Sequence, residues 1–136
     1  MTEPSLACQI AIRQRLVGAS AVTDLVPAAS IFDGPTRPEL LPCIIVGTGQ
    51  TVLEPITLTR SHIRVFLDVH TWTKETGLET VKTIAGAAQE ALKAKSSIEG
   101  FRVVDWLVTG TRFMRDPAEI GHAVTTVEAL LARTAA

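Results

Sequence analysis

The chain has 136 residues, 46% of them hydrophobic and 20% charged, with a net charge of −1. This is the composition of one globular domain able to bury a core, and no apolar run approaches the roughly 20 residues that span a bilayer. The charge balance also excludes a nucleic-acid binder that works through phosphate contacts, because no cluster of Lys or Arg is there to neutralise a backbone.

Leu6, Ile10, Ala11 and Val17 recur at helical spacing, Pro4 suits a first turn and Gly18 ends the segment. This predicts a helix over about 5–17, with Gln9, Arg13 and Gln14 toward water. Glu3 stands where a secretory leader carries Lys or Arg, so a soluble protein made in a cytoplasm is expected. Residues 20–42 lose periodicity and gather Pro27, Pro35, Pro38 and Pro42, yet keep Leu25, Val26, Ile31, Phe32, Leu40 and Leu41. Such a stretch reads as a rigid arm lying on a surface. "CIIVGTG" is a strand over about 43–49. "QTVLEPITLTRS" then reads as a projecting loop or hairpin whose Val52, Leu53, Ile56 and Leu58 lack a core face.

The clearest strand covers 62–72. Ile63, Val65, Leu67 and Val69 share one face, and His62, Arg64, Phe66, Asp68, His70 and Trp72 the other. Thr76, three residues before Glu79, reads as a capping box that opens a helix over about 77–95. Its stripe is Leu78, Val81, Ile84, Ala85, Ala88 and Leu92. A strand over about 101–115 puts Val104, Trp106 and Val108 on one face. A turn at Asp116, Pro117 and Gly121 leads to a strand over about 121–132, where Ala123, Thr125, Val127, Ala129 and Leu131 align. The order α-β-β-α-β-β predicts a single α+β domain, a mostly antiparallel sheet with two helices packed on one face.

Chemistry is sparse. Asp68 and His70 point the same way from one strand, but His62 lies eight positions from His70, about 25 Å at strand rise. A metal or acid–base site would need His122 or Asp105 to converge from elsewhere, and nothing in the sequence requires that. Cys8 and Cys43 lack CxxC spacing and read as small buried thiols in a reducing compartment. No G-x-S-x-G elbow or phosphate loop is present. The surplus is interaction surface instead: a mixed polar and aromatic strand face, the apolar 50–60 segment, and charges of both signs at Arg102, Asp105, Arg112, Arg115 and Asp116.

The pattern as a whole, from "SIFDGP" and "LPCIIVG" through "VHTWTKETG" to "GFRVVDWLVTGTRFMRD" and "IGHAVTTVEALLAR", resembles the tail completion or tail terminator proteins of long-tailed, non-contractile phages and of gene transfer agents. The resemblance covers about residues 6–132 and departs from the pattern at Cys43 and at Pro117-Ala118-Glu119. It implies a virion structural protein without catalytic, metal or cofactor sites, assembled in the bacterial cytoplasm into the head–tail junction. It implies a homo-hexameric ring that caps the tail tube, ends its polymerisation and meets a head-side connector or stopper. DNA would pass through only as cargo, and no membrane is involved. Its contacts are expected at Val52, Leu53, Glu54, Ile56, Leu58, Arg60, Arg64, Phe66, Asp68, His70, Arg112, Arg115 and Asp116. The alternatives are a stopper or tube subunit of the same particle, or a small enzyme using Asp68, His70 and His122.

Overall fold

The two periods in the sequence, near 3.6 and 2, fold into a helical layer on a sheet. A computed structural model describes residues 2–34, 40–55, 58 and 61–134. The elements are α1 (Pro4–Val17), α2 (Ser20–Thr23), a single 3-10 turn (Ala28–Ser30), β1 (Ile31–Phe32), β2 (Cys43–Leu53), β3 (His62–Lys74), α3 (Glu79–Leu92), β4 (Phe101–Asp116) and β5 (Ile120–Arg133). They build a five-stranded sheet in the order β1-β2-β3-β5-β4. Four strands alternate antiparallel, and β1 joins β2 in parallel, so the sheet is mixed. The small α+β domain expected from the sequence thus carries a third helix and a fifth strand, both drawn from the proline-rich arm.

The core lies between one sheet face and the long helices. Ile63, Val65, Leu67 and Val69 of β3 are buried there with Ile12 and Leu16 of α1, Ile84, Ala88 and Leu92 of α3, and Val127, Ala129 and Leu131 of β5. The arm does more than lie on a surface, since Val22, Val26 and Ile31 are fully buried in the same cluster. Pro35 and Pro38 lie outside the described residues.

Helix α1 is turned away from its expected orientation. Leu6 and Ile10 are 45% and 47% exposed, and the buried side is Ala7, Cys8, Ala11, Ile12 and Leu16. Small side chains at positions 7, 8 and 11 allow a close approach to the sheet, which larger ones would forbid. Arg13 and Gln14 are exposed as expected and Gln9 is half-buried, and two of the three also make contacts: Gln9 donates to Asp33 at 2.9 Å and Arg13 to the Ile31 carbonyl at 2.8 Å, tying down the arm. Arg15 reaches the carbonyls of Ala91, Ala94 and Lys95 at 3.2, 3.2 and 2.8 Å. Together with the indole N–H of Trp106, which donates to the Leu92 carbonyl at 2.7 Å, it satisfies acceptors that the end of α3 leaves open.

Three strand details also differ from expectation. β2 continues to Leu53 in register with β3, so the first third of the expected projection, Gln50 to Leu53, is sheet. A bulge between Val46 and Gly49 interrupts it. A Cβ at Gly49 would stand 2.7 Å from the Phe66 carbonyl oxygen, which only glycine avoids. In β4 a bulge between Val103 and Asp105 shifts Val104 off the core face, and Val103 packs there with Val108 and buried Trp106. β4 and β5 meet in a tight turn where Ala118 and Glu119 take left-handed φ values of 69° and 59°. Among the described residues, no helix is long and apolar enough to cross a membrane.

Helix α3 starts at Glu79 rather than 77, and Thr76 does not cap it: its N-cap, Leu78, makes no side-chain hydrogen bond. The carboxylate of Glu75 does the work instead, accepting from the N–H of Thr80 at 3.0 Å and of Val81 at 2.9 Å. Burial tends to raise the Glu75 pKa, but these bonds and the Thr73 hydroxyl outweigh it and hold the carboxyl below its ordinary value. Glu75→Ala is therefore expected to cost about 1 kcal/mol of stability, as loss of a helix cap does, while Thr76→Ala stays within about 0.5 kcal/mol. Urea denaturation of the two variants checks this, and equal losses would restore the capping box.

Candidate functional site

With helices on one side, alternate residues of every long strand point to the other, open side, which no helix covers among the described residues. β3 presents Arg64, Phe66, Asp68, His70 and Trp72, each half-buried. Register sets Glu128, Thr126 and Val124 of β5 beside Phe66, Asp68 and His70, and His122 beside Trp72. It also brings Leu107, Arg112, Met114 and Asp116 of β4 to this side, opposite Glu128, Val124, His122 and Ile120 of β5. Arg115 pairs with Gly121, whose missing Cβ would meet Val81 of α3, so Arg115 belongs to the helix side and leaves the expected contact set on this face.

Arg64 is the hub of one half. Its guanidinium bonds Glu54 at 2.7 Å and Glu128 at 2.6 Å, joining the end of β2 to β3 and β5. Hydrogen bonds to Glu54, then to Glu128, push the Arg64 pKa above its ordinary value. Next to this clamp Leu53 is 64% exposed and Val52 half-buried, and Leu58 is fully exposed. Ile56 and Arg60 lie outside the described residues. Asp68 accepts from the Thr126 hydroxyl at 3.0 Å and is thereby engaged across the strands.

His70 and His122 do meet. Their Nδ1 and Nε2 atoms are 2.8 Å apart, and His122 Nδ1 lies 3.2 Å from Asp116 Oδ2, in ion-pair reach though off the line of a good hydrogen bond. Trp72 stacks on His122 with ring centroids 3.7 Å apart and planes 9° from parallel. Sequence reasoning considered His122 beside His70, and Asp116 only as a contact charge; the Asp116–His122 approach and the stack arise from the β3–β5–β4 register. The rings engage through facing nitrogens rather than converging on a point. Two imidazoles on one zinc ion hold their nitrogens about 3.3 Å apart, so the 2.8 Å contact is a hydrogen bond and leaves no room for an ion. Among the described residues, no group of three or more His, Cys, Asp or Glu could hold a metal. Asp105 is far off: it faces Leu130, eight positions along β5 from His122 and about 25 Å away at strand rise. Its carboxylate accepts from the Trp106 N–H at 3.0 Å.

Both thiols are buried and free, and burial pushes Cys8 up to about 12 and Cys43 up to about 11, so neither is a nucleophile. What remains is an ion-paired polar face and, at the hairpin, exposed Leu53 and Leu58. Exposed Leu6 and Ile10 on α1, and Leu107 and Phe113 on β4, add apolar area that sequence periodicity had not singled out.

A family described as "Tail completion protein gp17" matches residues 10–132. Among solved structures, a chain from the "Virion of native gene transfer agent (GTA) particle" superposes with a TM-score of 0.77 at 19% identity, covering 91% of this chain and 93% of that one. At that identity the likeness is one of fold. A search of curated proteins gave no match.

The histidine pair gives stability a pH dependence. Burial lowers the pKa of His70, and of His122 more than the nearby Asp116 raises it. The folded state therefore favours the neutral rings, and the unfolded chain takes up protons first as pH falls through about 6.5. Stability should be level between pH 7 and 8 and decline from pH 6.5 toward 5. Carboxylates act lower still: burial tends to raise the Glu3 pKa, but hydrogen bonds from Ser5, Thr51 and Leu6 together outweigh it and hold it at about 2. Urea midpoints across that range measure the decline, and a midpoint that holds or rises toward pH 5 contradicts it.

Proposed function

The chain belongs to the tail completion protein gp17 family, and from that premise we propose that it is the terminator of a phage-like tail. In this reading six copies close into a ring on the last layer of a finished tail tube. The ring stops further polymerisation and offers its other surface to a head-side connector or stopper, with DNA passing through as cargo. The role is structural and non-enzymatic. The observation that carries it is the exposed apolar end of the β2–β3 hairpin, held out by the Glu54–Arg64–Glu128 clamp. An isolated monomer has no use for such a feature, but a subunit that must seat on a tube or on a neighbour does.

The sheet supports ring formation as well. A ring needs two unlike, complementary patches on each subunit. Among the described residues β4 has a strand neighbour on one side only and β1 pairs with just Ile44 and Ile45 of β2, so the two sheet edges differ. The mixed charges of the open face, Arg64, Asp68, Arg112 and Asp116, suit a specific contact between subunits. An enzyme working through Asp68, His70 and His122 finds little support, because Thr126, His122 and Asp116 already occupy those groups.

The combined replacement Val52→Ser, Leu53→Ser and Ile56→Ser is expected to leave a folded subunit by circular dichroism but to abolish joining of tails to heads, seen by electron microscopy as free tails. Normal-length tails joined to heads in that variant would sink the hairpin assignment.

A further inference from the structure

We propose that His70 and His122 form a one-proton site, in which a second proton expels His70 from the pair toward the small cavity beside Gly47. The inference concerns the folded subunit itself and stands apart from its place in a ring.

Hydrogen counting carries it. The pair has four ring nitrogens: His122 Nδ1 facing Asp116 Oδ2 at 3.2 Å, His122 Nε2 and His70 Nδ1 facing each other at 2.8 Å, and His70 Nε2. Two neutral imidazoles carry two N–H groups, and the Asp116 carboxylate favours one of them on His122 Nδ1. His122 Nε2 then accepts from His70 Nδ1–H. A third hydrogen goes to His70 Nε2 without disturbing any contact. A fourth cannot be placed, because it sets two N–H groups head-on across 2.8 Å.

One ring must then leave, and the surroundings decide which. His122 is 7% exposed and held between Trp72 and Asp116. His70 is half-buried and borders a cavity of about 90 Å³ lined by Gly34, Ile45, Gly47, Thr48 and Trp72. A Cβ at Gly47 would stand 3.2 Å from His70 Cδ2, so the glycine is what leaves the ring room. Burial opposes a charge on either ring; Asp68 on β3 favours one on His70 and Asp116 on β4 one on His122, while Arg112 on β4 and a charged His70 both oppose one on His122. Lys74, further along β3, is engaged with the Ala118 carbonyl at 2.7 Å. The Cys43 thiol opposite Trp72 on β2, raised to about 11 by burial, stays neutral throughout.

Imidazole and indole ¹⁵N spectra of the full chain between pH 8 and 4 test this. The first step should move the nitrogens of both rings together. A second, lower step should move the Trp72 indole signal, while that of Trp106, bonded to the Leu92 carbonyl, stays still. In His70→Gln the second step and the Trp72 shift should vanish, leaving one simple titration at His122. Independent single-step curves with Trp72 unmoved, or a Trp72 step that persists in His70→Gln, overturn the proposal. Should that variant not fold, Asp116→Asn takes its place. It should lower the first midpoint by about one pH unit while the second step remains, and an unchanged first midpoint counts against the site.

Discussion

Every long strand takes its position from the alternation of β3. Ile63, Val65, Leu67 and Val69 are buried under α1 and α3, and each such side chain is worth about 1.5–3 kcal/mol when removed from water. A slip of one residue would put Arg64, Phe66, Asp68 and His70 into that core instead, so the register is fixed wherever the strand is paired. β2 and β5 read this register from either side, and β4 reads it through β5. The open face is therefore positioned by the closed one. Arg64 meets Glu54 and Glu128, and His70 meets His122, because the apolar residues between them allow no other placement. The ion pairs themselves are partly exposed and add modestly to stability; their contribution is direction.

What the sequence made legible were the segments in which a single period dominates. β3 and the stripe of α3 (Val81, Ile84, Ala85, Ala88, Leu92) are buried as their spacing implies. α1 offers two overlapping stripes that share Ala11, and Leu6 and Ile10 of one lose to Ala7, Cys8, Ile12 and Leu16 of the other. That outcome depends on how closely a helix must approach a sheet, which no local window contains. The bulge that exchanges Val104 for Val103 is equally silent in sequence. The α3 cap escaped because Glu75 reaches across five and six positions to Thr80 and Val81, outside the capping-box spacing. The candidate site was half legible. The polar row of β3 could be read from alternation, but apart from Glu54 its partners come from β5 and β4, more than 40 residues away in sequence. Family resemblance succeeded where local motifs were thin, because it rests on the order of elements.

The subunit thus divides its labour by face. The helix side invests in stability: Arg15 and Trp106 close the end of α3, Glu75 its start, and Glu3 both the start of α1 and, through the Thr51 hydroxyl at 2.6 Å, its tie to β2. The open side invests in presentation, with an exposed hairpin end and charges that partner one another across strands.

The tie between Glu3 and Thr51 has a practical side. At the other terminus, Thr134 bonds the Gly100 carbonyl, and Arg133 donates its N–H to the Ser61 carbonyl at the root of the hairpin. Both ends of the described chain therefore emerge on the hairpin side of the sheet. The β4–β5 turn at Ala118 and Glu119, exposed and already in a conformation suited to glycine, marks the far side. A fluorophore, epitope or affinity handle placed in that turn would leave the hairpin unobstructed, whereas one appended to either terminus would stand beside it.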